Sequence, residues 1–156
     1  MVGRDEDVVR VLFPNKVLNG RVLGGAFVLR SHREEESISV FRMIGSTFSK
    51  DLLALDKGRN FPCAVMNVGN INDVKFYSKN NMAWCHVVET GEIDDTAHAG
   101  IEIHVNAQQV IGGHENEIIL HSETGVSLNV IVLALQHRLA TIAQKGLTQV
   151  NEIVRE

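Results

Sequence analysis

The last third of the chain sets the strongest limit on what it can fold into. Over residues 127–145, Leu128, Ile131, Leu135, Leu139 and Ile142 recur at the helical period, and Gly146 stands where a C′ glycine ends a helix. Val126, Val130, Val132 and Leu133 put further apolar side chains on other faces of the same helix. A helix apolar on several sides has to be covered on several sides. It requires a sheet on one side, and either more of its own chain or a second copy on the other.

Strand-forming runs fill the chain upstream. Residues 8–13, 26–30, 37–44, 63–68, 82–90 and 97–105 are rich in β-branched and aromatic residues, with 117–121 as a shorter candidate. Residues 37–44 alternate, with Ile38, Val40 and Arg42 on one side and Ser39, Phe41 and Met43 on the other. Asn19-Gly20 signals a tight turn, followed by a short strand at Val22-Leu23. Phe48, Leu52 and Leu55 predict a helix capped by Ser46-Thr47 and stopped by Gly58. Residues 71–77 suit a turn or a short helix, and 148–155 a last short helix. Strands first and a long helix last predict an α+β fold: an antiparallel or mixed sheet of about five to seven strands with the C-terminal helix packed on one face. The 156 residues are enough for one domain, and no linker-like stretch divides them, so residues 1–156 are read as a single α+β domain.

Composition narrows the function classes. A net charge of −4 offers no general footprint for phosphate backbones, which disfavours nucleic acid as a partner. The longest apolar stretch, residues 130–135, is far short of the ~20 needed to span a membrane. The polar, acidic start at residues 1–7 does not resemble a secretory signal. Cys63 and Cys85 lie in apolar runs without metal-ligand spacing, which predicts buried thiols and a cytoplasmic, reducing setting. A pairing between the two stays open.

The spacing with most chemical content is residues 98–104, His-Ala-Gly-Ile-Glu-Ile-His. On a strand, His98, Gly100, Glu102 and His104 share one face, while Ala99, Ile101, Ile103 and Val105 share the other. Two imidazoles and a carboxylate suit a divalent metal in ligand type. His98 and His104 are roughly 20 Å apart on a straight strand at ~3.3 Å per residue, so a shared ion needs a bend at Gly100. His86 joins the group if the strands at 82–90 and 97–105 pair antiparallel across residues 91–96. His114 and His121 flank an acidic loop with Glu115 and Glu117, which suits a His-Glu cluster or a solvated loop. No nucleophile elbow, P-loop or dinucleotide fingerprint is present. Ser37 and Ser39 are hydroxyls on a strand, functional or simply outward-facing.

Three stretches occur in a suggestive order: Phe13-Pro14-Asn15 with Gly20-Arg21; Ala26-Phe27-Val28-Leu29-Arg30 leading to Glu35-Glu36-Ser37-Ile38-Ser39-Val40; and His98-Ala99-Gly100-Ile101. Together they resemble a family of small bacterial proteins with no established activity. The resemblance covers roughly residues 10–105, implies a bacterial origin and adds weight to His98.

Two functions follow as expectations. One is a non-enzymatic binding or interaction module without a cofactor, homo-oligomeric and partnered by itself or by another protein. The alternative is a metal-assisted hydrolase or nuclease whose divalent ion is held by His98, Glu102, His104 and His86. No catalytic residue is assigned.

Overall fold

Alternation of buried and exposed side chains builds most of this molecule, and it is plainest at its centre. In the computed structural model, which describes residues 2–44, 48–90, 97–121 and 126–154, strand β8 (His98–Val105) points Ala99, Ile101, Ile103 and Val105 inward with no exposed surface. Strand β7 (Asn81–Glu89) points Ala83, Cys85 and Val87 to the same side. Around this pair run β1 (Asp7–Val11), β4 (Ile38–Arg42), β5 (Pro62–Asn67), β6 (Lys75–Ser78) and β10 (Leu147–Gln149). The order across the sheet is β10-β5-β1-β4-β8-β7-β6, with β9 (Gln108–Gln109) beside β8 beyond the end of β4. Every pairing is antiparallel. Strands β2 (Val17–Leu18) and β3 (Arg21–Val22) form a separate hairpin. Its turn has Asn19 at φ 51° and Gly20 at φ 76°, the backbone that an Asn-Gly turn supplies.

Helix α3 (Leu128–Lys145) covers the inner face. Ser127 caps it by accepting the amide N–H of Val130. Ile131, Leu135, Leu139 and Ala143 lie fully buried on β-sheet residues that include Val8, Ile38, Val40, Met66 and Ile101. Burial of this kind, at about 25 cal/mol per Å² of apolar surface, is the main term holding the α+β fold together. Gly146 ends the helix for a reason other than left-handed backbone, since its φ is −110°. A Cβ there would lie 1.9 Å from the carbonyl oxygen of Val65. The glycine lets the chain pass against β5 and enter β10.

The outer face is covered over half its width. Helices α1 (Phe48–Asp56) and α4 (Val150–Ile153) close a second core of Val9, Val11, Phe48, Leu52, Phe61 and Cys63 over the β10-β5-β1 side. Cys63 and Cys85 therefore belong to cores on opposite faces of the sheet, and both are free thiols. Burial pushes each up to about 12, for Cys63 with the Asp56 carboxylate adding to it, so neither is a nucleophile at neutral pH.

Several elements differ from the sequence expectation. Residues 26–30 are a 3₁₀ turn, Gly24–Phe27, followed by extended chain outside the sheet. The buried Phe27 that suggested a strand anchors the turn under α3 instead. Residues 117–121 also lack a ladder; side chains meet their backbone, with Asn81 Oδ1 accepting the His121 N–H at 2.9 Å. The stretch expected as one helix over 148–155 instead divides into the end of β10 and α4, with Arg155 outside the described residues. Residues 71–77 end the short helix α2 (Val68–Asn72) and begin β6. Among the described residues the sheet has eight strands, more than expected, because β6, β9 and β10, at four residues or fewer, are too short to carry a visible alternation. Ser46, Thr47 and residues 91–96 lie outside the described residues.

Two arginines knit the sheet. Arg42, buried at the end of β4, forms a fork to Glu6 with Nε–Oε1 and Nη2–Oε2 both at 2.9 Å, and a further bond to Glu89 at 3.1 Å. Arg10 lies where β1 and β4 part after Val9 and Phe41. It donates from Nη1 to Ser39 O at 2.7 Å, and from Nη2 and Nε to Ala26 O at 3.0 and 3.2 Å.

Two outcomes follow. Gly146→Ala should cost about 1–3 kcal/mol, read from the urea midpoint, because the added methyl overlaps backbone. Gly25→Ala, where a Cβ meets nothing closer than Lys16 Nζ at 3.8 Å, should cost little, and equal losses would remove the steric explanation. The Arg42 hydrogen bonds hold the Glu6 carboxyl below its ordinary value. Its contribution is therefore present above the usual glutamate range and is lost as pH falls through the lowered value. The stability gap between the parent and Glu6→Gln should be constant near neutrality and close in acid; a gap independent of pH would contradict this.

Candidate functional site

The β8-β7-β6 side of the outer face has no helix over it among the described residues, and this is where the sequence-predicted histidines stand, while Phe41 of β4 still packs on the core under α1. Strand alternation puts them there, because each inward apolar residue of β7 and β8 forces its neighbour outward. Register then sets which of them meet. His86 lies opposite Glu102, Trp84 opposite His104, and His98 opposite Phe41 on β4.

The four candidate metal ligands divide into two groups. At one end, the His104 ring nitrogen Nε2 is 3.0 Å from Glu102 Oε1, and Gln109 Nε2 donates to Glu102 Oε2 at 3.4 Å. The His104 ring stacks on the Trp84 indole, with centroids 5.4 Å apart and planes 7° from parallel. His86 is exposed on the neighbouring strand across from Glu102. At the other end, His98 is engaged on both sides of its ring. Ser39 Oγ is 2.8 Å from Nε2 and Thr90 Oγ1 is 2.5 Å from Nδ1, with the Phe41 ring edge-on at 5.8 Å. Among the described residues, no three His, Cys, Asp or Glu side chains are grouped as a metal ion requires. The strand does not bend at Gly100 to bring His98 to Glu102. A Cβ on Gly100 would sit 2.2 Å from Ser37 Oγ, so the glycine makes room for that serine.

The Ser39–His98–Thr90 chain is the arrangement that sequence reading missed. Ser39 and His98 were each visible, as members of different motifs, but no spacing links residues 59 apart. A hydroxyl bonded to an imidazole that is oriented by a third group has the outline of a nucleophile, base and orienter. The third group here is a hydroxyl, which can fix the ring's tautomer but carries no charge to stabilise an imidazolium. The chain joins β4, β8 and the end of β7, and this geometry makes it a lateral tie. Ser39 is held from both ends, its carbonyl by Arg10 and its hydroxyl by His98.

His114 does enter a His-Glu cluster, with Glu34 at 3.3 Å and Glu117 at 3.2 Å. Bonds to Glu117 and then Glu34 raise its pKa. All three side chains are open to solvent, and the cluster fastens the turn after Ser31 to the turn at Glu115–Glu117. His121 stands apart, exposed and held through its backbone.

No family model, curated protein or solved structure matches this chain. No helix of the described residues is long and apolar enough to cross a membrane.

Trp84 is the only tryptophan of the chain, so its fluorescence reports on this face. His104→Ala should move the emission to longer wavelength, because removing the stacked ring opens the indole to water. Emission unchanged in the variant, with a matching circular dichroism spectrum, would show that the stack does not shield Trp84.

Proposed function

We propose that the chain is a non-enzymatic interaction module that works as a homo-oligomer, most simply a two-fold dimer joined through the outward face of α3. One observation carries this reading. Val130 and Leu133 on α3 are 55 % and 51 % exposed, and Val28, which shares a groove with Leu133, is 44 % exposed. Val28, Leu29, Val110, Val132 and Leu133, with Glu115, Asn129 and Gln136 at their side, line a groove of about 310 Å³. Large apolar side chains gathered on a water-facing surface mark interfaces more often than chance exposure. A ridge and a groove on the same patch also suit an isologous contact, in which each copy's ridge enters the other's groove.

A metal-assisted hydrolase has less support. Glu102 and His104 lie together and His86 is across from them, but His98 is committed to Ser39 and Thr90. Metal analysis of protein purified without a histidine tag separates the two readings: a stoichiometric divalent ion lost in Glu102→Ala would favour the hydrolase. The cytoplasmic setting rests on two buried free thiols, and the bacterial origin on the motif resemblance.

Sedimentation at micromolar concentration tests the oligomer. The expected mass is twice the 17.2 kDa of one chain. Leu133→Asp and Val130→Asp should each move it towards the monomer with an unchanged circular dichroism spectrum, because neither side chain is in the core. A parent protein that sediments as a monomer would overturn the proposal.

A further inference from the structure

Two turns along α3 from Val130, the outward face changes character. His137, Thr141 and Lys145 follow it, and with Arg21 of the β2–β3 hairpin they surround a cleft of about 550 Å³ floored by Val22 and Ala140. The side chains of Arg21, His137 and Lys145 have no hydrogen bond or ion pair to any described residue, and among the described residues no acidic side chain lines the cleft. In a chain with a net charge of −4, three unpaired basic groups around one concavity run against the overall balance. Lys145 alone would be explained by the carbonyl end of α3, where cations are favoured. Arg21 sits on a different element and His137 two turns earlier, so the helix end does not account for them.

The walls of this cleft are locked together. Gln144 Oε1 accepts the Val22 N–H at 2.7 Å, and Gln144 Nε2 donates to Gly20 O at 2.8 Å, which binds the hairpin to the helix through a single amide. The cationic groups are therefore carried on a prearranged frame, and less ordering is required when a ligand arrives.

We propose that this cleft binds a small organic phosphate. Two permanent cations with no carboxylate between them match a dianion better than a single carboxylate, and an arginine fork suits phosphate oxygens. The volume exceeds what a bare phosphate fills, and Val22 and Ala140 give an apolar body somewhere to rest. The site is separate from the Val130–Leu133 surface and does not depend on dimer formation.

Calorimetry with phenyl phosphate tests it at low salt on the whole chain, with inorganic phosphate and benzoate as comparisons. Phenyl phosphate should bind more tightly than either, and binding should weaken as salt rises. Arg21→Gln and Lys145→Gln should each weaken it about tenfold or more, the loss expected for one charge-assisted contact. Both side chains are exposed, and a circular dichroism spectrum matching the parent confirms that the variants fold. No binding of phenyl phosphate at millimolar concentration, or binding unchanged in the double variant, overturns the site. Benzoate binding as tightly overturns the dianion assignment, and inorganic phosphate binding as tightly overturns the apolar floor.

Discussion

Arg10 occupies a position that a sheet normally fills with its own ladder. β1 pairs with β5 over five positions but with β4 over two, and beyond Val9 and Phe41 the strands separate. A gap of this kind leaves backbone carbonyls buried without partners, at a cost of about 1–3 kcal/mol each. The guanidinium resolves it by donating to Ser39 O on β4 and to Ala26 O in the turn under α3. Among the described residues no carboxylate bonds to it directly, and burial pushes its pKa down to about 10, with Glu35 opposing that shift. It still carries its charge at neutral pH, stabilised by the carbonyls it donates to and by the nearby Glu35 carboxylate. Replacing it with a shorter or apolar side chain would release the turn at Gly24–Phe27 and the middle of β4 together.

The consequence reaches the outer face. Ser39 is the residue whose carbonyl Arg10 holds, and the same residue presents its hydroxyl to His98. The buried cation on one side of the sheet and the histidine tie on the other are two grips on one residue of β4. That coupling explains why a histidine stands at the start of β8. A ring with a nitrogen on each edge can bridge β4 to the end of β7 across the intervening strand, and no aliphatic side chain can.

Much of this was legible in the sequence. The inward row of Ala99, Ile101, Ile103 and Val105, the pairing of β7 with β8 and the span of α3 all follow from periodicity, because burial there is one-sided and repeated. What stayed hidden has physical reasons. Phe27 is fully buried inside a 3₁₀ turn, and an apolar run cannot distinguish that from a strand. The β8–β9 hairpin turns through Asn106 and Ala107 at φ 51° and 69°, and alanine in a left-handed turn gives no sequence signal. Gly146 was identified as a helix stop, but its cause is the neighbouring Val65 carbonyl, a contact between residues far apart in the chain. The histidines were placed on the correct face. Whether they converge depended on the straightness of β8 and on Ser37 filling the space over Gly100, neither of which spacing reveals.

The outward face of α3 shows how far a single pattern can be read. Val130, Ala134, His137 and Thr141 lie along one ridge at the helical period, and from the period alone they form one surface. The tertiary neighbours divide it. The N-terminal half stands beside Val28 and the chain leaving the Gly24–Phe27 turn, where Val28, Leu29 and Val110 outnumber the one charged neighbour, Glu115. The C-terminal half faces the β2–β3 hairpin, whose Asn19-Gly20 turn delivers Arg21 to the helix while Gln144 fastens it there. One helix thus presents an apolar surface and a cationic one because two different loops were folded against it. The loops, more than the helical period, decide what each half of that face can hold.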